Sequence, residues 1–233
     1  MKDIPIFIIF RDLITPMRDL IRWLEKAGHE NIHIIDNKST FVPAKQFLDG
    51  TSHTVHRLNT NVGHRAPWNS KIVQKVCGKN SRYIVTDADI VPQSGCPLDA
   101  VHHMSDLLSK YYEEDIIKVG FGLDIFNLPQ SYTLRDKVYQ WEKQFWKHEI
   151  EPNVYKAPID TTFALYKPLS HTPKIVNGVN VRKDALRTGE PYLADHTPWL
   201  WDTHNLTHEQ KYYIKNAKTA THWTSALRKK GQR

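Results

Sequence analysis

Ile4-Pro-Ile-Phe-Ile-Ile-Phe10, followed by Arg11-Asp12 and then Thr15-Pro16-Met17, is the stretch on which the reading of this chain turns. A short, uninterrupted apolar run rich in branched residues predicts a strand buried on both faces, as in a parallel sheet. Thr15 offers an N-cap with proline at the first helical position, and Met17, Leu20, Ile21 and Leu24 recur at helical spacing until Gly28. Strand and amphipathic helix make one βα unit. The pattern continues, with strands expected at Asn31–Ile35, Thr54–Leu58 and Arg82–Thr86, and helices over Val42–Leu48 and Pro67–Cys77, the latter stopped by Gly78. Units alternating in this way predict an α/β fold with a mostly parallel, Rossmann-like central sheet and helices on both faces.

After Thr86 the rhythm changes. Helices are expected over Leu98–Tyr111, Leu134–Glu149 and His208–Ala217, and strands at Ile116–Phe121 and Thr161–Tyr166. No repeat, low-complexity segment or Gly/Ser linker divides the 233 residues, so they read as a single domain: a first half to about residue 92, a second over about 93–223, and a basic tail at 224–233. At 40% hydrophobic and 24% charged residues the chain is neither disordered nor a coiled coil. Its longest apolar run spans seven residues, far short of the roughly 20 that cross a bilayer. Met1-Lys2-Asp3 leads straight into that run without a signal-peptide pattern, and two cysteines, Cys77 and Cys96, allow one bridge at most; a cytoplasmic protein with reduced thiols is expected.

The net charge of +7 is concentrated at the end of the chain. From His204 to Arg233, Lys211, Lys215, Lys218, Arg228, Lys229, Lys230 and Arg233 stand against Glu209 alone, a balance of +6. Such a terminus can meet nucleic acid, an anionic membrane surface or a nucleotide, or it can be a solvated tail. A helix from His208 would carry Lys211, Lys215 and Lys218 along one side, with Tyr212 and Tyr213 turned elsewhere. The expected partner is an anionic membrane that the protein contacts peripherally.

The chemistry sits at the strand ends. Tyr83-Ile-Val-Thr-Asp87-Ala88-Asp89 sets two carboxylates after a buried strand; two residues apart in an extended segment, they point the same way and can share a hard divalent cation with phosphate oxygens and water. Ligands of open α/β sheets bind at the carboxyl ends of the strands. The other strand ends carry Arg11-Asp12, Asp36-Asn37-Lys38-Ser39 and Asn59-Thr-Asn61-Val-Gly63-His64-Arg65, which combine short polar groups for a base or ribose with cations for phosphate. Read as polar loops, each is unremarkable; all of them on one edge make a site.

Asp-Asn-x-Ser after the second strand, Asn-x-Gly before a helix and Asp-Ala-Asp after the fourth strand resemble the nucleotide-sugar half of GT-A fold glycosyltransferases, in particular glycosyltransferase family 2. Ala157-Pro-Ile-Asp160-Thr-Thr-Phe-Ala-Leu-Tyr166 and Thr188-Gly-Glu190-Pro-Tyr-Leu-Ala-Asp195-His196-Thr-Pro-Trp199 resemble small bacterial and viral members, and the likeness spans residues 4–223. The resemblance implies that Asp89 and Asp87 hold Mn2+ or Mg2+ against the diphosphate of a nucleotide-sugar donor, that Asp36 and Arg65 sit by base and ribose with Arg11 nearby, and that Asn37 and Asn61 belong to the same nucleotide site. It implies transfer of a sugar, a hexose in the first instance, to a hydroxyl acceptor: a glycan, a lipid-linked molecule or another. The family's carboxylate pair before the acceptor helix is absent. Asp195, Asp160 and Glu190, in that order, are the candidates for the base that deprotonates the acceptor.

His196 resembles the C-terminal metal-binding histidine of several such enzymes, with His222 as its rival and a structural histidine as the plain alternative. Trp199 and Trp201 are either core residues or an acceptor platform. Trp141 and Trp146, five apart, do not share a helix face, so one belongs to the core. A sugar nucleotidyltransferase of similar fold is the alternative activity, but Phe10-Arg-Asp-Leu-Ile-Thr-Pro16 lacks the glycine-rich phosphate loop expected of it. A non-catalytic nucleic-acid-binding protein suits the basic tail and leaves Asp87 and Asp89 without a role.

Overall fold

The computed structural model describes residues 1–172, 184–217 and 222–230. Lys218 and Arg233 of the basic terminus lie outside them, and so do the side chains of Lys229 and Lys230.

Every residue of β1 (Ile6–Phe10) is buried. Its side chains alternate between two cores: Ile6, Ile8 and Phe10 enter one, Phe7 and Ile9 the other. β1 pairs in parallel with β2 (Ile32–Asp36) and β4 (Tyr83–Asp87), and β2 with β3 (Thr54–Arg57). The first core is closed by α1 (Ile14–Lys26), α2 (Val42–Gly50) and α5 (Ala100–Lys110), the second by α3 (Ala66–Asn69) and α4 (Ile72–Cys77). Burying the side chains of β1 on both faces at about 25 cal/mol per Å² of apolar surface ties these helices to the sheet.

The sheet runs β3-β2-β1-β4-β9-β6-β10-β8-β7, with β5 (Ile90–Pro92) added along β10 (Ala185–His196). β9 (Ala164–Tyr166) lies antiparallel between β4 and β6 (Lys118–Leu123), β6 and β10 are parallel, and β8 (Val154–Lys156) and β7 (Glu149–Glu151) form a hairpin at the far edge. Followed from strand to strand, seven of the ten run in one direction and only β5, β8 and β9 run against it. The fold is thus a mixed α/β Rossmann-like one, with a mostly parallel sheet joining strands from both halves of the chain.

Three expectations are corrected. The helix expected over Pro67–Cys77 breaks at Lys71, whose φ of 59° starts α4 afresh. The long helix expected over Leu134–Glu149 stops early: α6 (Arg135–Glu142) tightens into a single turn at Lys143–Trp146 and gives way to β7. Trp146 then packs edge-on to Tyr155 of β8 (ring centroids 5.0 Å apart), and a Cβ at Gly122 would run into its ring, so this tryptophan is the core one of its pair. Finally, β10 went unexpected because Gly189 and Pro191 interrupt its pattern; its register shifts between Thr188 and Leu193 to accommodate them.

The start of α1 holds a further difference. The helix begins at Ile14, without a side-chain cap from its own N-terminus. Glu209 of α7 (His208–Asn216) caps it instead, accepting hydrogen bonds from the N–H groups of Ile14 and Thr15 (2.9 Å for the latter) and from Thr15 Oγ1. A carboxylate at the positive end of a helix is favourable twice over, as acceptor and as charge. It also anchors α7 at the start of α1, just beyond the end of β1, and α8 (His222–Lys230) follows it in the chain. Cys77 and Cys96 are both buried and unbridged.

Candidate functional site

The carboxyl ends of β1, β2 and β4 open onto a cleft of about 690 Å³. Arg11, Asn37, Asn61, Asp87, Asp89, Asp160, His196 and Trp199, all singled out in the sequence, line it together.

At the ends of β1 and β2 the short polar residues first of all hold the loops. Asn37 donates from Nδ2 to the Gly63 carbonyl (2.9 Å) and accepts at Oδ1 from the Val62 N–H (2.9 Å), and Asn61 Oδ1 accepts from the Gly63 N–H (2.9 Å). This fixes Gly63, whose φ of 75° needs glycine, beside His64 on the cleft wall. Asp36 and Arg65 do not line the cleft. Asp36 is buried, accepts from the Ser39 N–H (2.8 Å) and lies 3.8 Å from Arg57, while the Arg65 guanidinium sits over the Trp68 ring at 5.9 Å. Arg11 remains on the wall, 3.5 Å from Asp12 and donating to the Asn216 carbonyl of α7 (3.3 Å).

The two strand-end carboxylates converge through a turn rather than through pleating, because β4 ends at Asp87. Thr161 Oγ1 donates to Asp87 Oδ2 (2.6 Å). Burial and the charges of Asp89 and Asp160 push the Asp87 carboxyl well above the usual carboxylate range, against the lowering effect of that hydrogen bond. His196 comes from the other half: β5 pairs with β10 so that His196 stands opposite Ile90, the Thr197 N–H donates to the Asp89 carbonyl (2.9 Å), and His196 Nε2 lies 3.8 Å from Asp89 Oδ2. Trp199 stacks on the imidazole (4.5 Å, 29°). Tyr213 closes the cleft from α7, its hydroxyl pushed up by burial and by the charges of Asp89 and Asp87.

Among the described residues no group of three or more His, Cys, Asp or Glu side chains is arranged to hold a metal ion by itself. Asp89 and His196, 3.8 Å apart, are the pair that could contribute to a shared ion, since Mg2+-type sites use one or two protein ligands and leave the remaining positions to phosphate oxygens and water. His196 Nδ1 and Trp199 Nε1, both buried, have no hydrogen-bond partner among the described residues.

The remaining candidates lie elsewhere. Asp195 alternates with His196 on β10 and does not line the cleft; its Oδ1 accepts from Gln93 Nε2 (3.0 Å), which also donates to Asp124 (2.9 Å), and burial raises its carboxyl above the usual range. Glu190 is exposed at the register shift of β10. Trp201 is 7% exposed and meets Tyr213 edge-on, so it belongs to the core, and Trp199 is 2% exposed, a wall of the cleft rather than an open platform. The side chain of His222 lies outside the described residues. Sequence reasoning passed over Tyr213 and the buried Glu142–Arg187 pair (3.0 Å), all of which line the cleft. On the C-terminal side Lys211 and Lys215 are exposed, as the helical spacing predicted, and among the described residues no helix is long and apolar enough to cross a membrane.

No protein-family model matches the chain, and no curated protein matches its sequence. Solved structures similar to it include a cytidylyltransferase from Leptospira borgpetersenii (TM-score 0.43, 10% identity, covering 99% of this chain and 95% of that one) and a UDP-glucose pyrophosphorylase from Acinetobacter baumannii (0.44, 10%, 98% and 97%). GalNAc-T7 with UDP, GalNAc and Mn2+ is similar at a TM-score of 0.40 and 13% identity, over 97% of this chain and 53% of that one. With TM-scores below 0.5, none of these bears on what this chain does.

Proposed function

We propose that the protein is a metal-dependent glycosyltransferase that moves a sugar from a nucleoside-diphosphate sugar to a hydroxyl acceptor. The observation that carries this reading is the meeting of Asp87 and Asp89, at the end of β4, with His196, at the end of β10, in a cleft also walled by Asn37, Asn61 and His64. A divalent ion bound there supplies positive charge that offsets the charge developing on the leaving diphosphate. Asp89 and His196, with Asp87 beside them, would hold it together with phosphate oxygens and water, and the nitrogen ligand would favour Mn2+ over Mg2+. Arg11 faces the phosphates, the loops around Asn37 and Gly63 receive base and ribose, and Trp199 and Tyr213 keep water from the diphosphate.

Asp160 is the base of this proposal. It is exposed in the cleft, close enough to Asp87 for its charge to raise that carboxyl, and Lys118 Nζ donates to its backbone carbonyl (3.2 Å) and to that of Ile159 (2.8 Å), fixing the segment. A carboxylate so placed takes the proton of the acceptor hydroxyl as the sugar transfers. Asp195 would hold β10 in place through Gln93.

The test is to incubate the protein with Mn2+ and a panel of nucleotide sugars and measure released nucleoside diphosphate, alongside nucleoside triphosphates with sugar 1-phosphates, measuring pyrophosphate. Nucleoside diphosphate release that increases with acceptor is expected. Pyrophosphate release alone would assign a nucleotidyltransferase instead.

A further inference from the structure

α6 is fastened to the cleft by a buried ion pair. Glu142 Oε2 accepts from Arg187 Nη1 (3.0 Å) with both side chains under 8% exposed; Arg187 Nε donates to the Pro158 carbonyl (2.9 Å), and its guanidinium lies 4.2 Å from the Phe145 ring centroid. Such a pair fixes geometry more than it adds stability. The residue it fixes next is Trp141, an indole left 54% exposed on an anchored helix. Trp141 and Trp223 line the cleft and also a second, open groove of about 420 Å³, whose other walls are Asp136, Lys137 and Gln140. The groove is therefore an outward continuation of the site, almost wholly apolar on its surface, with aromatic faces at the junction and the apolar stems of Asp136, Lys137 and Gln140 beside them.

We infer that this groove binds a neutral carbohydrate chain, so that the acceptor is an oligosaccharide of at least two rings: the reacting ring inside the cleft, the next against Trp141 and Trp223. The inference rests on the glycosyltransferase reading. A pyranose presents an apolar C–H face suited to an indole, and in an open groove its hydroxyls stay in contact with water. One acid and one base on the walls give a polyanion no net attraction, which argues against nucleic acid or an anionic membrane at this place. The acceptor platform is thus formed by Trp141 and Trp223, not by the buried Trp199 and Trp201.

Calorimetric titration of the full chain with neutral oligosaccharides of two to six glucose, N-acetylglucosamine, mannose or xylose units, and with the matching monosaccharides, tests this. At least one oligosaccharide is expected to bind ten times more tightly than its monosaccharide. Trp141→Ala should weaken it tenfold or more, Trp141→Phe should restore most of the loss, and Tyr139→Ala, on the same helix but outside the groove, should change nothing. Failure of the whole panel to bind, equal binding by Trp141→Ala, or a dependence on Trp141 seen only with anionic vesicles or single-stranded RNA overturns the inference. Nucleoside diphosphate titrated with Mn2+ reads the donor site separately. Loss of that binding alone sinks the transferase reading and leaves the sugar groove standing, whereas nucleotide binding without a Trp141-dependent sugar sinks only the groove.

Discussion

The two halves of the cleft are built by different means. The first wall comes from consecutive βα units, where each loop lies a few residues beyond the strand that positions it: Arg11 after β1, Asn37 after β2, Asp87 and Asp89 at the end of β4. The opposite wall is assembled from distant pieces: Asp160 ahead of β9, His196 at the end of β10, Trp141 on α6 and Tyr213 on α7. A parallel sheet encodes one wall locally. The other exists only once the long-range pairings of β10 with β5 and β6, and the docking of α7 on α1, are made.

The sharpest way to break this picture is at the junction of the walls. Asp89→Ala removes the carboxylate that faces His196, and turnover should fall roughly a thousandfold with loss of Mn2+-dependent nucleotide binding, the scale of an interaction worth about 4 kcal/mol in the transition state. Its melting temperature should stay near that of the parent, because Asp89 supports no core. Unchanged affinity for nucleotide with Mn2+ would dissolve the metal assignment.

Next in size is the contrast between the two aspartates of the second wall. Asp160→Asn should lower kcat about a hundredfold with donor affinity nearly constant, the signature of a lost general base. Asp195→Asn should keep turnover within a few-fold, since Gln93 can still bond to the new amide oxygen. The reverse result exchanges their roles and places the reacting hydroxyl on the far side of β10.

These expectations also show how much was legible in the sequence. Ile4–Phe10 and Tyr83–Thr86 announce two-sided strands because burial on both faces leaves no polar alternation, and the strand-end rule then finds Arg11, Asn37, Asn61, Asp87 and Asp89 without further help. Asp36 and Arg65 share those loops yet turn to Ser39 and Trp68, since a loop needs internal hydrogen bonds as much as a ligand does. Asp195 and His196 are adjacent candidates for different roles, base and metal ligand, and the pleat of β10 brings only His196 to the cleft, because neighbours on a strand face opposite ways. Tyr213 gave no local signal, because what brings it to the cleft is Glu209 on the N-terminus of α1.

That long-range cap is the third test. Glu209→Ala should cost about 1 kcal/mol in denaturant unfolding, in the range of an N-cap with its charge–dipole contribution, and Glu209→Gln less, because the amide oxygen still accepts. Since α7 also carries Tyr213, nucleotide affinity should drop with stability in the Ala variant. A stability loss with affinity intact would mean that the second wall holds together without this contact.

The smallest effect sets the halves apart by pH. In the first half of the chain His33 is stacked between Phe7 (5.1 Å) and His56 (5.2 Å), with Nδ1 3.0 Å from His56 Nε2 and Nε2 2.9 Å from Asn31 Oδ1; burial first, then the neighbouring imidazole, lowers its pKa from 6.5 to about 4. The folded protein therefore keeps this ring neutral where the unfolded chain takes up a proton. Stability from this source is full above pH 6.5, falls as the pH drops to 4, and is flat below, with a total of about 1–2 kcal/mol once the remaining contact with water is discounted. Asp195, on the other wall, has the opposite sign: its carboxyl is raised by burial, so its contribution is full at low pH and is lost as the pH rises through its folded-state value. Unfolding curves from pH 4 to 8 for the parent, His33→Phe and Asp195→Asn separate the two. The parent-minus-variant difference should decline toward acid for His33→Phe, which keeps the stack without the titration, and toward alkali for Asp195→Asn; parallel curves for all three proteins would mean that neither group is linked to folding.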